Sequence, residues 1–212
     1  MSTSIEDASV TLGEEIANSI THGVGAALSV AGLVMVVAAA LHRTAGHVLA
    51  CAIYGGSLVL LYLCSTLYHA LTNPRAKRVF RVLDHASIYV LIAGTYTPVT
   101  LVVLCGAWGW TLFGVIWALA VVGVVFKCFF TGRLNFLSTA IYVLMGWLAV
   151  VAIRPLLAAL SWTGFLWLAA GGMAYTSGVL FFASRWKYSH TVWHLFVLAG
   201  SVCHFVAVYP FV

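Results

Sequence analysis

The chain has 212 residues, of which 63% are hydrophobic and only 7% are Asp, Glu, Lys or Arg. A soluble domain carries roughly 25% charged residues, so this composition excludes a soluble globular protein and makes the lipid bilayer the main solvent. The formal net charge of +5 is not gathered into a basic tract with interleaved aromatic residues, and nucleic-acid binding therefore has no support.

The first seventeen residues contain four acidic residues and no Lys or Arg. A secretory signal peptide begins with basic residues before a short apolar core, so this pattern does not predict one. We predict instead a polar cytoplasmic segment over residues 1–17, followed by a single membrane domain over residues 18–212.

Seven apolar runs follow one another along the rest of the chain with short connections. A membrane-crossing helix needs about 20 predominantly apolar residues, and each run is close to that length. The predicted fold class is therefore an all-α membrane protein, a bundle of seven transmembrane helices. The predicted spans are approximately 20–41, 47–71, 82–104, 109–126, 135–153, 162–183 and 190–211.

Basic residues collect on one side of this predicted bundle. Eight lie in the connections after the second, fourth and sixth spans, whereas only Arg43 and Arg154 lie on the opposite side. Because cytoplasmic loops carry the excess of Lys and Arg, the N-terminus is predicted to be cytoplasmic and the C-terminus outside. The eight residues are Arg75, Lys77, Arg78, Arg81, Lys127, Arg133, Arg185 and Lys187.

Ionisable residues gather in one layer near that cytoplasmic side. After Glu15 the chain has a single acidic residue, Asp84, at the start of the third span. A carboxylate there is costly unless it meets water, a partner or an ion, although an acid that caps a helix start would also be stabilised. Alternating helix direction brings to the same layer His69, His190, His194, Asn18 and His22.

The spacing of the histidines indicates a metal site. His190 and His194 are four residues apart and leave one face of a helix, as do Ser65 and His69. Three His ligands without a thiolate suit zinc with a fourth position open for water, while copper, iron and nickel remain compatible. The alternative is that each histidine is hydrogen-bonded to a neighbouring helix, since an HxxxH pair alone is a weak signal.

Two further histidines are placed by helix geometry. His204 lies about 21 Å along the helix from His190, so it is predicted to be a polar contact deeper in the bundle. His85 adjoins Asp84 but points about 100° away, which predicts an interfacial or supporting position.

Four motifs together resemble the hemolysin III family, within the wider progestin and adipoQ receptor superfamily. The resemblance covers residues 14 to 208, nearly the whole chain, and the motifs occur in order along the seven spans. They are Glu15-x-x-Asn18-x-x-x-His22, Ser65-x-x-x-His69, the stretch from Asp84 to Pro98, and His190-x-x-x-His194.

This resemblance implies a Zn²⁺ ion held by His69, His190 and His194, with Asp84 contacting it through bound water and Ser65 nearby. Relatives in the superfamily resemble alkaline ceramidases and are regarded as metal-dependent amide hydrolases acting on lipids. Bacterial members are linked to membrane-lipid and fluidity homeostasis. The implied location is a bacterial cytoplasmic membrane, with membrane lipids as substrate or ligand.

The leading functional hypothesis is therefore a zinc-dependent membrane hydrolase of a lipid amide or ester. Asp84 is expected to act as general base and then acid, and Ser65 to stabilise the developing oxyanion. The alternative is a membrane sensor or receptor whose zinc is structural. A channel or cytolysin is disfavoured because the outer halves of the spans lack a continuous polar stripe. The sequence carries no signal for an oligomeric state.

Overall fold

The computed structural model describes residues 10–211, and in this range every regular element is a helix. Seven helical segments are long and apolar enough to cross a membrane, which confirms the predicted fold class. Residues 1–9 of the predicted polar segment lie outside the described range. The elements are α1 (Leu12–Ala40), α2 (Ala45–Ala70), α3 (Pro74–Pro98) continuing as a π-helix (Val99–Leu104), α4 (Gly106–Phe130), α5 (Asn135–Gly146), a 3-10 turn (Leu148–Ala152), α6 (Ile153–Ala159), α7 (Trp162–Phe182), α8 (Ser189–Val208) and a 3-10 turn (Tyr209–Phe211).

The helices pack largely in chain order. α1 packs on α2, α2 on α3 and α3 on α4, while α7 packs on α8 and α8 returns to α1. Within their most apolar stretches, 56% of the α2 residues and 61% of those in α3 are buried, against 11% in α7. α2 and α3 therefore form the centre of the bundle, and α7 faces mostly outward.

Two helices begin earlier than their apolar stretches suggest. α1 begins at Leu12 because Thr11 and Glu14 form a capping box at its start. α3 begins at Pro74 because the Asn73 side chain accepts hydrogen bonds from the first free backbone N–H groups. The predicted loop after the second span is consequently helical, and it places on the first turns of α3 Arg75, Lys77, Arg78 and Arg81.

Two other basic residues were also wrongly placed in loops. Lys127 lies inside α4 with 1% of its surface exposed, and its ammonium lies 6.0 Å from the ring centroid of Tyr142. Arg154 lies inside α6, because the fifth span continues to Ala159 rather than ending at residue 153. Both errors have one cause, because hydropathy falls at these charged residues while the helix continues past them.

The fifth span is interrupted between α5 and α6. In a membrane such a break leaves backbone groups without partners unless the protein supplies them. The hydroxyl of Tyr96, on α3, donates to the carbonyl of Gly146 at 2.9 Å and accepts from the N–H of Ala149 at 2.8 Å. One buried side chain therefore stabilises the break and fixes α5 against α3.

One end of the bundle carries the excess of basic residues and also the polar layer. The Nζ atom of Lys77 at the start of α3 lies 2.7 Å from Oε1 of Glu15 in α1. The N–H of Tyr188, just before α8, donates to Glu14 at 2.9 Å. We call this end the basic end, defined by Arg75, Lys77, Arg78, Arg81, Lys127, Arg133, Arg185 and Lys187.

Candidate metal centre

Three histidines meet inside the bundle near the basic end. His69 lies in the last turn of α2, whereas His190 and His194 lie in the first two turns of α8. Each offers one ring nitrogen within 4.8 Å of the other two. The antiparallel packing of helices that end and begin at the same level brings these side chains together, as the alternation of spans predicted.

The donor set and its burial fit a metal ion. His69 and His194 are 7% and 2% exposed. Within residues 10–211, Nε2 of His69 is buried and has no hydrogen-bond partner. A buried imidazole nitrogen without a partner is costly, and a metal ion shared with two further imidazoles removes that cost. These three histidines can therefore hold a metal ion.

Glu15 fixes the orientation of the first histidine. Its Oε2 lies 2.6 Å from Nδ1 of His69, and its Oε1 lies 2.7 Å from Nζ of Lys77. Because a carboxylate only accepts, Nδ1 of His69 carries the proton and Nε2 keeps its lone pair for a metal. This carboxylate–histidine contact is typical of metal sites in proteins, where it also increases the basicity of the ligand.

Asn18 fixes the second histidine in the same way. Its backbone carbonyl lies 3.2 Å from Nδ1 of His194, which therefore donates and leaves Nε2 available. Its side-chain Oδ1 accepts a hydrogen bond of 2.5 Å from the hydroxyl of Thr191. The hydroxyl of Thr21 also lies 3.2 Å from Nδ1 of His194. α1 therefore orients ligands on two other helices without supplying one itself.

His22 completes this face of α1. Its ring stacks on that of His194 with centroids 3.5 Å apart and planes inclined by 11°. Tyr62 meets the other side of His22 edge-on, at 5.0 Å. His22 is 3% exposed, so it forms part of the packed wall behind the ligands.

Ser65 lies one turn before His69 on α2, as the spacing predicted. It is 1% exposed, and its Oγ has no hydrogen-bond partner within the described part of the chain. A buried hydroxyl without a partner in an apolar bundle marks a place where a water molecule or a ligand oxygen would be stabilised.

Asp84 does not cap a helix. It lies well inside α3, whose capping residue is Asn73, so the alternative explanation of this acid as a cap is wrong. Its Oδ2 lies 3.5 Å from Nδ1 of His85, which is closer, at 2.8 Å, to the carbonyl of Arg81. The side chain of Asp84 is 14% exposed, so this carboxylate is largely enclosed by the bundle.

His85 is buried against Tyr68 and Tyr142. Its ring meets that of Tyr68 nearly edge-on at 6.3 Å, and its carbonyl accepts a hydrogen bond of 2.8 Å from the Tyr142 hydroxyl. His204, by contrast, lies far from the three histidines, where its Nε2 lies 3.2 Å from the carbonyl of Leu168. It forms a polar contact deeper in the bundle, as predicted.

Some residues of this centre were not predicted from the sequence. Lys77 was interpreted as a topology charge and not as a partner of Glu15, and Thr21 and Thr191 were not singled out. Thr191 follows His190 directly, so a hydroxyl beside an HxxxH pair was a usable signal. The sequence offered no such signal for Lys77, because its partner Glu15 is 62 residues away.

Comparisons with known proteins show the family of this chain. A model of the haemolysin-III related family matches residues 10–205. The chain belongs to the haemolysin III family. The match includes every histidine of the candidate centre, together with Glu15, Asn18 and Asp84, and it confirms the resemblance to this family and its superfamily.

Family relatives align over almost the whole chain. Hemolysin-3 of Bacillus cereus is 49% identical over 197 residues, which cover 92% of this chain and 90% of that protein. A hemolysin-3 homolog of Bacillus subtilis (strain 168) is 46% identical over 202 residues, 93% of this chain and 94% of the relative. The human monocyte to macrophage differentiation factor is 26% identical over 166 residues, 75% of this chain and 68% of that protein.

Membership in the haemolysin III family, bacterial relatives and seven spanning helices identify a multi-pass protein of the bacterial cell membrane. The lipid bilayer is therefore its environment.

The contact between Glu15 and His69 makes a testable prediction. We expect Glu15→Gln to weaken metal binding about 10- to 100-fold, because the amide orients His69 less strongly and does not increase its basicity. Competition titration with a fluorescent zinc chelator measures this change. Glu14→Gln is the matched control, since Glu14 bonds to the Tyr188 N–H and to Thr11 rather than to a histidine. Equal affinities of the two variants would contradict the assigned role of Glu15.

Proposed function

We propose that this protein is a zinc-dependent membrane hydrolase that acts on a lipid amide or ester and contributes to lipid and membrane-fluidity homeostasis. The observation that supports it best is the cluster of three imidazoles, two buried and one partly buried, beside a cavity that reaches the basic end. In this proposal His69, His190 and His194 hold the metal. When bound, zinc supplies a Lewis acid that activates water and polarises a carbonyl.

The chain's own groups then carry the remaining steps. The Asp84 carboxylate accepts a proton from the attacking water and returns it to the leaving nitrogen or oxygen. Ser65 Oγ donates a hydrogen bond to the substrate carbonyl oxygen as negative charge develops there. Glu15 and the Asn18 carbonyl keep the ligand rings fixed throughout. The site is reached from the cytoplasm if, as we propose from the basic residues, the basic end is cytoplasmic.

Asp84→Asn tests the proposed step. We expect the variant to keep about one zinc per chain and to lose turnover by two to four orders of magnitude, roughly the contribution of general acid–base catalysis. Zinc-loaded wild type and variant would be compared on ceramides, N-acyl amides and phospholipids by mass spectrometry of the released acids. Asp84→Glu retains a carboxylate and should recover part of the rate. Zinc-loaded wild type without turnover on any of these lipids would overturn the hydrolase proposal.

A membrane sensor with a structural metal is the second candidate. It is favoured by the way the site joins three helices, because α2 and α8 supply the histidines and α1 contacts them through the Glu15 carboxylate and the Asn18 carbonyl. In a sensor, Asp84→Asn would leave both the metal and the cellular phenotype unchanged. A channel or cytolysin stays disfavoured. Hemolysin-3 is the name of the relatives, and that name alone does not make this chain a cytolysin.

A further inference from the structure

A cavity of about 1840 Å³ opens at the basic end and extends inward to His69 and His190. It is bounded by the starts of α1, α3, α5 and α8 and by the end of α7. The candidate metal centre lies at its inner end. The wall of this cavity therefore determines which molecules approach the three histidines.

Cationic side chains form one part of this wall. Arg78 contributes from α3, and Arg185 and Lys187 contribute from the connection between α7 and α8; Lys77 and Arg81 line the cavity as well. The acidic residues in the lining are Glu14 and Glu15, and each already accepts short hydrogen bonds from within the protein. The cavity wall therefore carries an excess of positive charge.

The positive-inside rule alone does not explain this distribution. That rule concerns which side of the membrane a basic residue occupies and not where its side chain lies. The lining includes Arg78 and Arg185 but not Arg75 or Arg133, which are exposed at the same end. Basic residues at this end thus fall into two groups, one of which lines the cavity.

Another part of the wall is mostly apolar, with Asn135 and Thr139 of α5 as polar members. One face of α5 contributes Ala140, Val143 and Leu144, and the last turns of α7 contribute Val179 and Phe182. Both helices belong to segments that are long and apolar enough to cross a membrane, so this surface suits contact with lipid acyl chains. A cationic rim joined to an apolar wall is complementary to an amphiphile with a negatively charged headgroup.

We propose that this cavity binds an anionic phospholipid, with its phosphodiester held by Arg78, Arg185 and Lys187 and its acyl chains along α5 and α7. The guanidinium groups match phosphate oxygens in charge and in fork geometry. The excess of positive charge in the wall repels the ammonium group of a zwitterionic headgroup, which favours an anionic phospholipid. This inference names the class of lipid on which the proposed hydrolase acts. It rests on the proposed function only where it identifies the bound lipid as a substrate. Binding itself requires no turnover.

The test is lipid binding by zinc-depleted protein, measured by native mass spectrometry in micelles that contain phosphatidylglycerol or phosphatidylcholine. We expect wild type to retain phosphatidylglycerol preferentially, and Arg78→Gln/Arg185→Gln to lower that retention about tenfold, as loss of charge-assisted hydrogen bonds implies. Arg75→Gln/Arg133→Gln is the matched control, because it removes the same charge from the same end outside the cavity. It should retain phosphatidylglycerol like wild type, and thermal unfolding should show both variants folded.

Three outcomes would overturn the proposal. The first is equal retention of the two lipids, and the second is an equal loss in both double variants, which would indicate only general surface charge. The third is displacement of phosphatidylglycerol by millimolar inorganic phosphate, which would indicate a site for free phosphate. A protein that binds phosphatidylglycerol as expected but hydrolyses no lipid would instead contradict the proposed function and leave this inference intact.

Discussion

Purified wild-type protein should contain about one zinc ion per chain, and His190→Ala/His194→Ala should contain almost none. The double variant keeps only one of three imidazoles, and a single His ligand does not hold zinc against water. Elemental analysis of detergent-purified protein measures this directly. Because the three nitrogens lie within 4.8 Å of one another, removing two of them leaves no alternative set among the described residues.

A matched control comes from the same helix. His204→Ala also removes a partly buried imidazole from α8, but His204 contacts the Leu168 carbonyl far from the three ligands. It should retain full zinc content. Chelation gives a second measurement, since a ligand that binds only the folded state raises its stability. Chelator should lower the unfolding temperature of wild type and of His204→Ala but not that of the double variant.

Wild-type protein that is folded and contains no zinc, copper, iron or nickel after purification and reconstitution would contradict the metal site. The three histidines would then be contacts between helices, as the alternative interpretation of the sequence held. Both the hydrolase and the sensor with a structural metal would fail with that result. The anionic-lipid cavity would remain, because its argument depends on the cationic and apolar walls.

The seven spans could be predicted because crossing a membrane is a local property of the sequence. About 20 apolar residues suffice for each span, whatever its neighbours are. Alternating direction then placed His69 and His194 at one level without any knowledge of packing. Chain connectivity and helix length together fix which side chains share a layer of the bundle, so the candidate centre could be anticipated.

The helix ends were predicted less well, because hydropathy falls where charged residues begin while helical structure continues. The sequence did contain the missing signals. Thr11 and Glu14 have the spacing of a capping box, and Asn73 before Pro74 is typical of a helix start. Lys127 had no such signal, since its burial depends on how α4 packs and not on the residues beside it.

The contacts that orient the ligands could not be predicted from the sequence. Glu15 and His69 are 54 residues apart, and Asn18 and His194 are 176 apart. Two side chains in the same layer of the bundle can be neighbours. The layer alone does not determine which ring nitrogen of a histidine would face a metal ion. That choice depends on distances of 2.6 and 3.2 Å between atoms of different helices, which only the packed structure supplies.

The spacing of α1 and α2 affects the first of these distances, between Glu15 and His69, and Gly55 controls that spacing. A Cβ atom added at Gly55 would lie 2.6 Å from Cδ1 and 2.8 Å from Cα of Leu33 on α1. Because the Cα atom of Leu33 belongs to the backbone, no side-chain rotation relieves this contact, and α1 and α2 must move apart. We expect Gly55→Ala to destabilise the protein by about 1–3 kcal/mol, the usual effect of overpacking. Unfolding in SDS titrations measures this.

Gly56→Ala is the matched control on the same helix, because no described atom lies within 4 Å of the Cβ it adds. It should leave stability unchanged or raise it by about 0.5–1 kcal/mol, since alanine favours a helix over glycine. Equal stability of the two variants would mean that α1 and α2 are less closely packed than described. Because Glu15 on α1 orients His69 on α2, Gly55→Ala should also weaken zinc binding, whereas Gly56→Ala should not. Such a result would show that the packing of α1 on α2 in the middle of the bundle maintains the geometry of the candidate metal centre near its end.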